Sequence, residues 1–331
     1  MKTLFDVDNR LERLTIMGDS LVKLNEVVDW EKFRDLLERI FYVEDNRFGG
    51  RRHFDRVMMF KILILQSLYN LADDNTEYQI NDRLSFQRFL GMDIGDKVPD
   101  AKTIWSYREK LTQSGQYKEI FDLYLGQLEN AGIITRRGSI VDATFIERPR
   151  QNGGEKAGET EAKKSNRERQ TDKDAKFAMK NGKRHFGFKN HIKVDSDSKL
   201  ITQFSVTPAN RHDGKEAPKV LDATDEEVYL DSCYRGEEME AAIQKAAPNA
   251  KIHVIRKHDG YHEPTPEQLE ANVPIQRIRQ RVEHVFGYMT KSMGGKAVRC
   301  CGLIRATMNV ALKNLAYNMR RTCFLNKLTR A

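Results

Sequence analysis

The hydrophobic period of this chain changes at Gly138, and that change divides it into two kinds of structure. Before it, apolar residues recur at helical spacing; after it, short β-branched runs alternate with amphipathic stretches. WEKFRDLLERIF (30–41), FDRVMMFKILILQSLYNL (54–71), NTEYQINDRLSFQRFLGM (75–92), AKTIWSYREKLT (101–112) and YKEIFDLYLGQLENAG (117–132) read as helices. Asp55 and Asp100 stand where N-caps belong, the second in the turn VPD (98–100). Short helices in series, one carrying Trp105, Tyr107 and Arg108, suit a DNA-binding module as well as a plain bundle. Arg108 is the candidate DNA contact in this part.

After Gly138, strands are predicted at SIVDATFIE (139–147), RHFGFKNHIKVD (184–195), KLITQFSVTPAN (199–210), EEVYLDSCYRG (226–236) and KIHVIRK (251–257). The second and third are joined by DSDS as a hairpin. RHDGKEAPKVLDA (211–223) and EEMEAAIQKAA (237–247) are helical, and HDGYHEPTPEQLEANVP (258–274) reads as a Pro-broken loop. A long helix from about Gln276 to Met293 and a second over 303–324 close the chain. The order predicts a mixed α/β fold with a three-strand antiparallel edge, the ribonuclease-H-like layout. The expected organisation is an all-α N-terminal DNA-binding domain (1–135), a catalytic domain (136–300) and a C-terminal helix (301–331) packing on that catalytic domain. Residues 148–183, almost without apolar side chains, are expected to form a mobile basic loop.

Charge is distributed as unevenly as period. The 331 residues carry a net +8, with 39% hydrophobic residues, enough for a packed core. Residues 148–193 hold fourteen Lys and Arg against six acids, and residues 276–331 hold twelve against one, Glu283. Clustered cations neutralise phosphates, although a solvated basic face gives the same composition. No apolar run reaches the length of a membrane span, and the N-terminus lacks a signal-peptide core, so a cytoplasmic protein with no membrane partner is expected. Four Cys without a C-x-x-C pair argue against a zinc site or a disulfide framework.

Three carboxylates then stand out by position. Asp142 lies mid-strand among Ile140, Val141, Phe145 and Ile146, where a charge is costly without a partner. Asp231 ends the strand VYLD, at the edge of an α/β sheet where ligands bind. Glu283 sits on a late helix between Arg279, Arg281 and Lys291. Each alone also reads as a cap, a turn residue or an ion-pair partner. Together, if the sheet brings them to one place, their mutual repulsion calls for hard cations with oxygen ligands, of which Mg²⁺ is the natural one and Mn²⁺ a substitute. His185, His191 and His212 suit core or hairpin roles better than metal ligation, Asp195, Asp197 and Asp213 read as turn and cap residues, and Arg235 as either a helper of Asp231 or a loop ion pair.

With these residues in place the chain resembles the DDE transposases of bacterial insertion sequences, of the insertion-sequence-five type. The blocks that carry the resemblance are SIVDATFIERP (139–149), KNGKRHFGFKNHIKVD (180–195), TPANRHDG (207–214), VYLDSCYRG (228–236) and RIRQRVEHVFGYMTK (277–291). The N-terminal stretches FGGRRHFDRVMMFKILILQSLYNL and VPDAKTIWSYREKL are similar to the family's helical domain. In the superfamily pattern Y-x-x-R-x-x-x-E-x6-K, Arg279 and Glu283 match, Gln276 stands at the Tyr position and Thr290 at the Lys position, with Lys291 one residue later.

The resemblance implies Asp142, Asp231 and Glu283 as catalytic metal ligands, with Mg²⁺-dependent cutting at the element's ends and attack of the freed 3′ hydroxyl on target DNA. It further implies DNA contacts from Arg279, Lys291, Arg281, Arg235, Lys183, Arg184 and Arg108. The implied partners are the terminal inverted repeats and target DNA, met by a homodimer in a nucleoid-associated, bacterial setting. A non-catalytic DNA-binding repressor derived from a transposase, and a nuclease without strand transfer, are the competing readings.

Overall fold

The computed structural model describes residues 6–42, 53–149, 172–180, 182–258 and 263–328. The chain divides into two compact units, Met1–Tyr124 with Leu312–Ala331, and Leu125–Ala311. Among the described residues no helix is long and apolar enough to cross a membrane.

In the first unit, α1 (Asp6–Ile16), α2 (Ser20–Val27), α3 (Arg34–Ile40), α4 (Arg56–Tyr69), α5 (Asp73–Asp82), α6 (Leu84–Leu90) and α7 (Ala101–Ser114) precede α8 (Tyr117–Asn130), whose residues from Leu125 group with the second unit. Asp55 caps α4 by accepting from the Met58 N–H at 2.8 Å, and Asn70 ends that helix in the left-handed region. Val57, Met59, Phe60 and the whole run Ile62–Leu65 are buried, so α4 is apolar on nearly every side and forms the middle of the unit. Trp30 lies against Phe33, Phe60 and Phe89, and Phe33 against Phe60, with ring centroids 5.1–6.4 Å apart. Asp100 caps α7 through the Thr103 N–H at 2.7 Å. Tyr107 on that helix is a core residue, stacked on Phe41 and donating to the Arg56 carbonyl.

The second unit is built on one mixed sheet of β1 (Ser139–Glu147), β2 (Lys176–Lys180), β3 (Lys183–Asp195), β4 (Ile201–Pro208), β5 (Glu227–Leu230) and β6 (Lys251–Val254). β3 pairs antiparallel with β1 on one edge and with β2 and then β4 on the other. β1, β5 and β6 run parallel. Without β2 the order is β4-β3-β1-β5-β6, three antiparallel strands followed by two parallel ones, which is the ribonuclease-H-like layout.

Helices cover both faces. α9 (Ala217–Val220) and α10 (Glu237–Ala246) close a core with Val141, Val228, Leu230 and Val254. On the opposite face α11 (Pro266–Arg279) packs on β5 and α12 (Arg281–Lys291) on β1. The start of α13 (Leu303–Leu328) adds Ala306 and Val310 to a core with Ile146 and Phe188.

Five segments differ from the sequence expectation. Within 148–183, residues 176–180 form β2, because pairing with β3 satisfies their backbone groups without requiring apolar side chains; 150–171 lie outside the described residues. The supposed loop 258–274 contains most of α11. Thr265 and Gln268 make a reciprocal capping box and Pro266 occupies the first turn, where its missing N–H costs nothing. The long helix from Gln276 is two helices that meet at Gln280. The 211–223 helix shrinks to a 3-10 turn at Asp213–Lys215 followed by α9. The final helix also divides: its first turns join the sheet's core, whereas residues from Leu312 group with the helical unit, where Thr322 Oγ1 meets Tyr124 Oη at 3.1 Å.

Candidate active site

Strand parity brings two of the proposed carboxylates together. The ladder between β1 and β5 places Ile140 opposite Tyr229. Asp142 and Asp231 each lie two residues further on, so both side chains emerge on one face of the sheet beyond the last pair. That is the face on which α12 packs, and Glu283 is in the first turn of α12.

Arg279, the last residue of α11, joins the two aspartates. Its Nη2 donates to Asp142 Oδ2 at 2.7 Å and lies 3.5 Å from Asp231 Oδ2. Its Nε is buried without a hydrogen-bond partner. Asp142 is only 8% exposed, and burial raises its carboxyl from the ordinary 3.8 to about 6. Arg279 and the Ala143 N–H, bonded at 2.8 Å, work against that rise, while the Glu283 charge adds to it. Asp231 is more open. Burial opposes its ionisation, but Arg279, the Ser232 N–H at 2.8 Å and Lys257 Nζ at 3.4 Å together hold its carboxyl below the usual range.

Asp142 and Asp231 therefore differ in kind: one is buried and held reluctantly as an anion, the other is ionised and half solvated. Glu283 is exposed and acts on Asp142 through its charge. Among the described residues no group of three His, Cys, Asp or Glu side chains is gathered closely enough to hold an ion. The donors nearest one another are carboxylate oxygens with a cation between them, a set that fits a hard divalent ion in place of the guanidinium.

Two family models match the chain, and the second spans this geometry. One, described as Transposase domain (DUF772), covers residues 8–110, and another, described as Transposase DDE domain, covers residues 134–319. The chain belongs to the DDE transposase family. It is also similar to a solved piggyBac transposase, described as a synaptic complex with hairpin DNA, with a TM-score of 0.48 and 11% identity over 94% of this chain and 76% of that one.

The remaining residues singled out in the sequence of this transposase lie in varied settings. Arg281 donates to the Ser196 carbonyl and meets Asp197 at 3.2 Å, tying α12 to the turn after β3. Arg235 donates to the Lys257 carbonyl. Lys183 and Arg184 are exposed at the start of β3, and Lys291 is exposed at the end of α12. Arg108 forms a two-pronged pair with Asp73, at 2.6 and 2.7 Å, and also donates to Gln66. His191 is buried, with Nε2 2.8 Å from Thr207 Oγ1. Asp195 accepts from the Ser198 N–H and hydroxyl in the turn between β3 and β4.

Three cations near the carboxylates were not found from sequence. Lys257 approaches Asp231 from the end of β6. Lys296 donates to Thr144 Oγ1 at 2.6 Å; burial lowers its amine, and Glu283, Glu147 and Asp142 pull the other way. Lys180, the last residue of β2, also bears on Asp142. Lys296 reaches the site because its segment lies along the end of β1, with the Glu147 N–H donating to the Lys296 carbonyl. Helical spacing from Glu283 could not reveal that.

Proposed function

We propose that this chain is a DNA transposase that cuts the ends of an insertion sequence and joins the freed 3′ hydroxyls to target DNA, using Asp142, Asp231 and Glu283. The observation that carries the reading is the shared hold of Arg279 on two aspartates from adjacent parallel strands, on the face covered by the helix of Glu283. Asp142 and Asp231 would hold divalent cations, Mg²⁺ or Mn²⁺, with Glu283 as the third ligand. When bound, such ions activate an attacking oxygen and stabilise the leaving one.

The chain's own groups supply position and charge. Arg279 is the counter-ion the two aspartates share without the cation, offsetting part of the cost of burying Asp142 and helping to hold Asp231 ionised. Its buried, unpaired Nε is a donor suited to a phosphate oxygen once the carboxylates are neutralised. Lys180 and Lys296 on the side of Asp142, and Lys257 beside Asp231, come from three separate segments and favour a phosphodiester near the two aspartates. Lys183, Arg184, Arg281, Arg235 and Lys291 belong to the wider basic surface proposed to meet the backbone. Cutting two ends calls for at least two copies, so the working form is proposed to be a homodimer on DNA.

The test is a supercoiled plasmid carrying both ends of the element, incubated with the protein and Mg²⁺. Nicks at the two ends followed by joined products are expected. Intact plasmid, with the ends bound, would leave a DNA-binding protein without cutting activity.

A further inference from the structure

The ribbon of β2 and the first turns of β3 is not absorbed by the chemistry above. Between Lys176 and Phe186 it carries four cations, Lys176, Lys180, Lys183 and Arg184, and no acid. It also exposes two large apolar side chains, Phe177 at 45% and Met179 at 75%. The Phe177 ring packs on Phe186, and the Arg184 guanidinium lies over it at 4.3 Å.

Two features aim this ribbon at the carboxylates. Its register sets Phe177 opposite Phe186 and Met179 opposite Arg184. Residues 184, 186 and 188 alternate onto the face that Phe188 shares with Ile146 and, two positions at a time, with Thr144 and Asp142. The apolar side of the ribbon thus continues the face that bears the site. The ribbon is also bent. Gly187 has φ +143°, and a Cβ there would come within 2.3 Å of the Ile146 carbonyl oxygen, so only glycine fits. Beyond that bend Lys180 comes near enough for its charge to act on Asp142, Lys296 and Cys233.

We infer that the β2–β3 ribbon is a DNA clamp, lying in a groove of the duplex beside the bond to be cut, with Phe177 and Met179 against the bases and the four cations on the phosphates. This rests on the transposase reading and names the element that grips its substrate. A two-stranded ribbon fits the major groove, and apolar side chains can press on or between base pairs. A second copy of this surface would set four cations against four, whereas a polyanion complements them.

The test uses the full-length protein without metal and a duplex of the element's own terminal repeat, with 2-aminopurine beside the cut. The wild type is expected to change the probe's fluorescence on binding. Phe177→Ser with Met179→Ser should weaken binding about tenfold, the effect of one lost stacked base, and abolish the fluorescence change. The salt dependence should stay as steep as before, because no phosphate contact is removed. Lys180→Gln with Lys183→Gln should instead flatten it by about two contacts. Met179→Ser alone, at a side chain that touches little, should reduce the fluorescence change without altering the melting temperature.

Serine variants that bind and report like the wild type, while the wild type still cuts with Mg²⁺, overturn the clamp and leave the transposase reading in place. A wild type that gives the fluorescence change but never cuts supports the clamp and overturns the cutting activity.

Discussion

Asp142→Asn should make the metal-free protein more stable near neutral pH while removing its ability to cut DNA. The carboxyl is raised from 3.8 to about 6, first by burial and then by the Glu283 charge, against the pull of Arg279. A rise of about two units corresponds to about 3 kcal/mol. The sign follows from proton counting. Between the ordinary value and about 6 the folded chain holds more protons than the unfolded one, so stability falls as pH rises through that window and the full loss is present above it.

Asparagine has the same shape and no charge to bury, so it removes that loss. It also weakens the 2.7 Å contact to Arg279, which keeps Asp231 at 3.5 Å and is not stranded. A net gain of about 1–2 kcal/mol remains, or roughly 3–6 °C in Tm for a domain of this size. Thermal melting of both proteins in EDTA from mildly acid to mildly alkaline pH measures it as a difference, which cancels every group the two share. The gain should shrink as the pH drops below about 6, where wild-type Asp142 becomes neutral too. Adding Mg²⁺ should stabilise the wild type and leave the variant unmoved. A variant less stable at neutral pH, or a difference independent of pH, would refute the reasoning from burial.

Other perturbations act on neighbouring parts of the fold. Asp231→Asn should also abolish cutting of a repeat-bearing plasmid with repeat binding retained, but without a gain in Tm, because its carboxyl is held below the usual range rather than above it. Lys193→Met should cost about 3–5 kcal/mol in urea unfolding, since it strands the buried Asp225 carboxylate that Lys193 meets at 3.0 Å; adding Asp225→Asn should recover most of the loss. Gly187→Ala should lower Tm and reduce repeat binding, because its Cβ would collide with the Ile146 carbonyl; unchanged values for both would show that the bend is unnecessary. His191 is lowered by burial from 6.5 to about 4, so stability tied to it is complete above 6.5 and falls as the pH drops through that window; His191→Gln should flatten this part of the unfolding profile.

Much of the fold was legible because each element carried its own signal. Asp55 and Asp100 precede apolar periodic runs and cap them. Asp142 and Asp231 could be picked out because charge in or at the end of an apolar strand is costly unless a partner compensates. Prolines misled in one direction: three of them made 258–274 look like a loop, although Pro266 in a first turn after Thr265 is a start signal. The polar composition of 148–183 as a whole misled in another, since it hid the short run Phe177–Met179, whose strand is held by backbone pairing with its side chains largely exposed.

What the sequence could not supply was the partnership around the carboxylates. On a single helix, Arg279 would lie one turn before Glu283 and share its face, as a phosphate clamp beside a metal ligand. The break at Gln280 separates them, so Arg279 ends one helix and turns to the two aspartates while Glu283 begins the next. Lys180, Lys257 and Lys296 arrive from a strand end, a loop and a segment lying along β1, with no common spacing to any acid. The site's own cations thus offset part of the repulsion among its acids. The balance differs at the two aspartates, because Asp231 has cations enough to stay ionised and Asp142 does not. A divalent ion therefore has most to gain at Asp142, the carboxylate whose burial the protein's own charges leave least compensated.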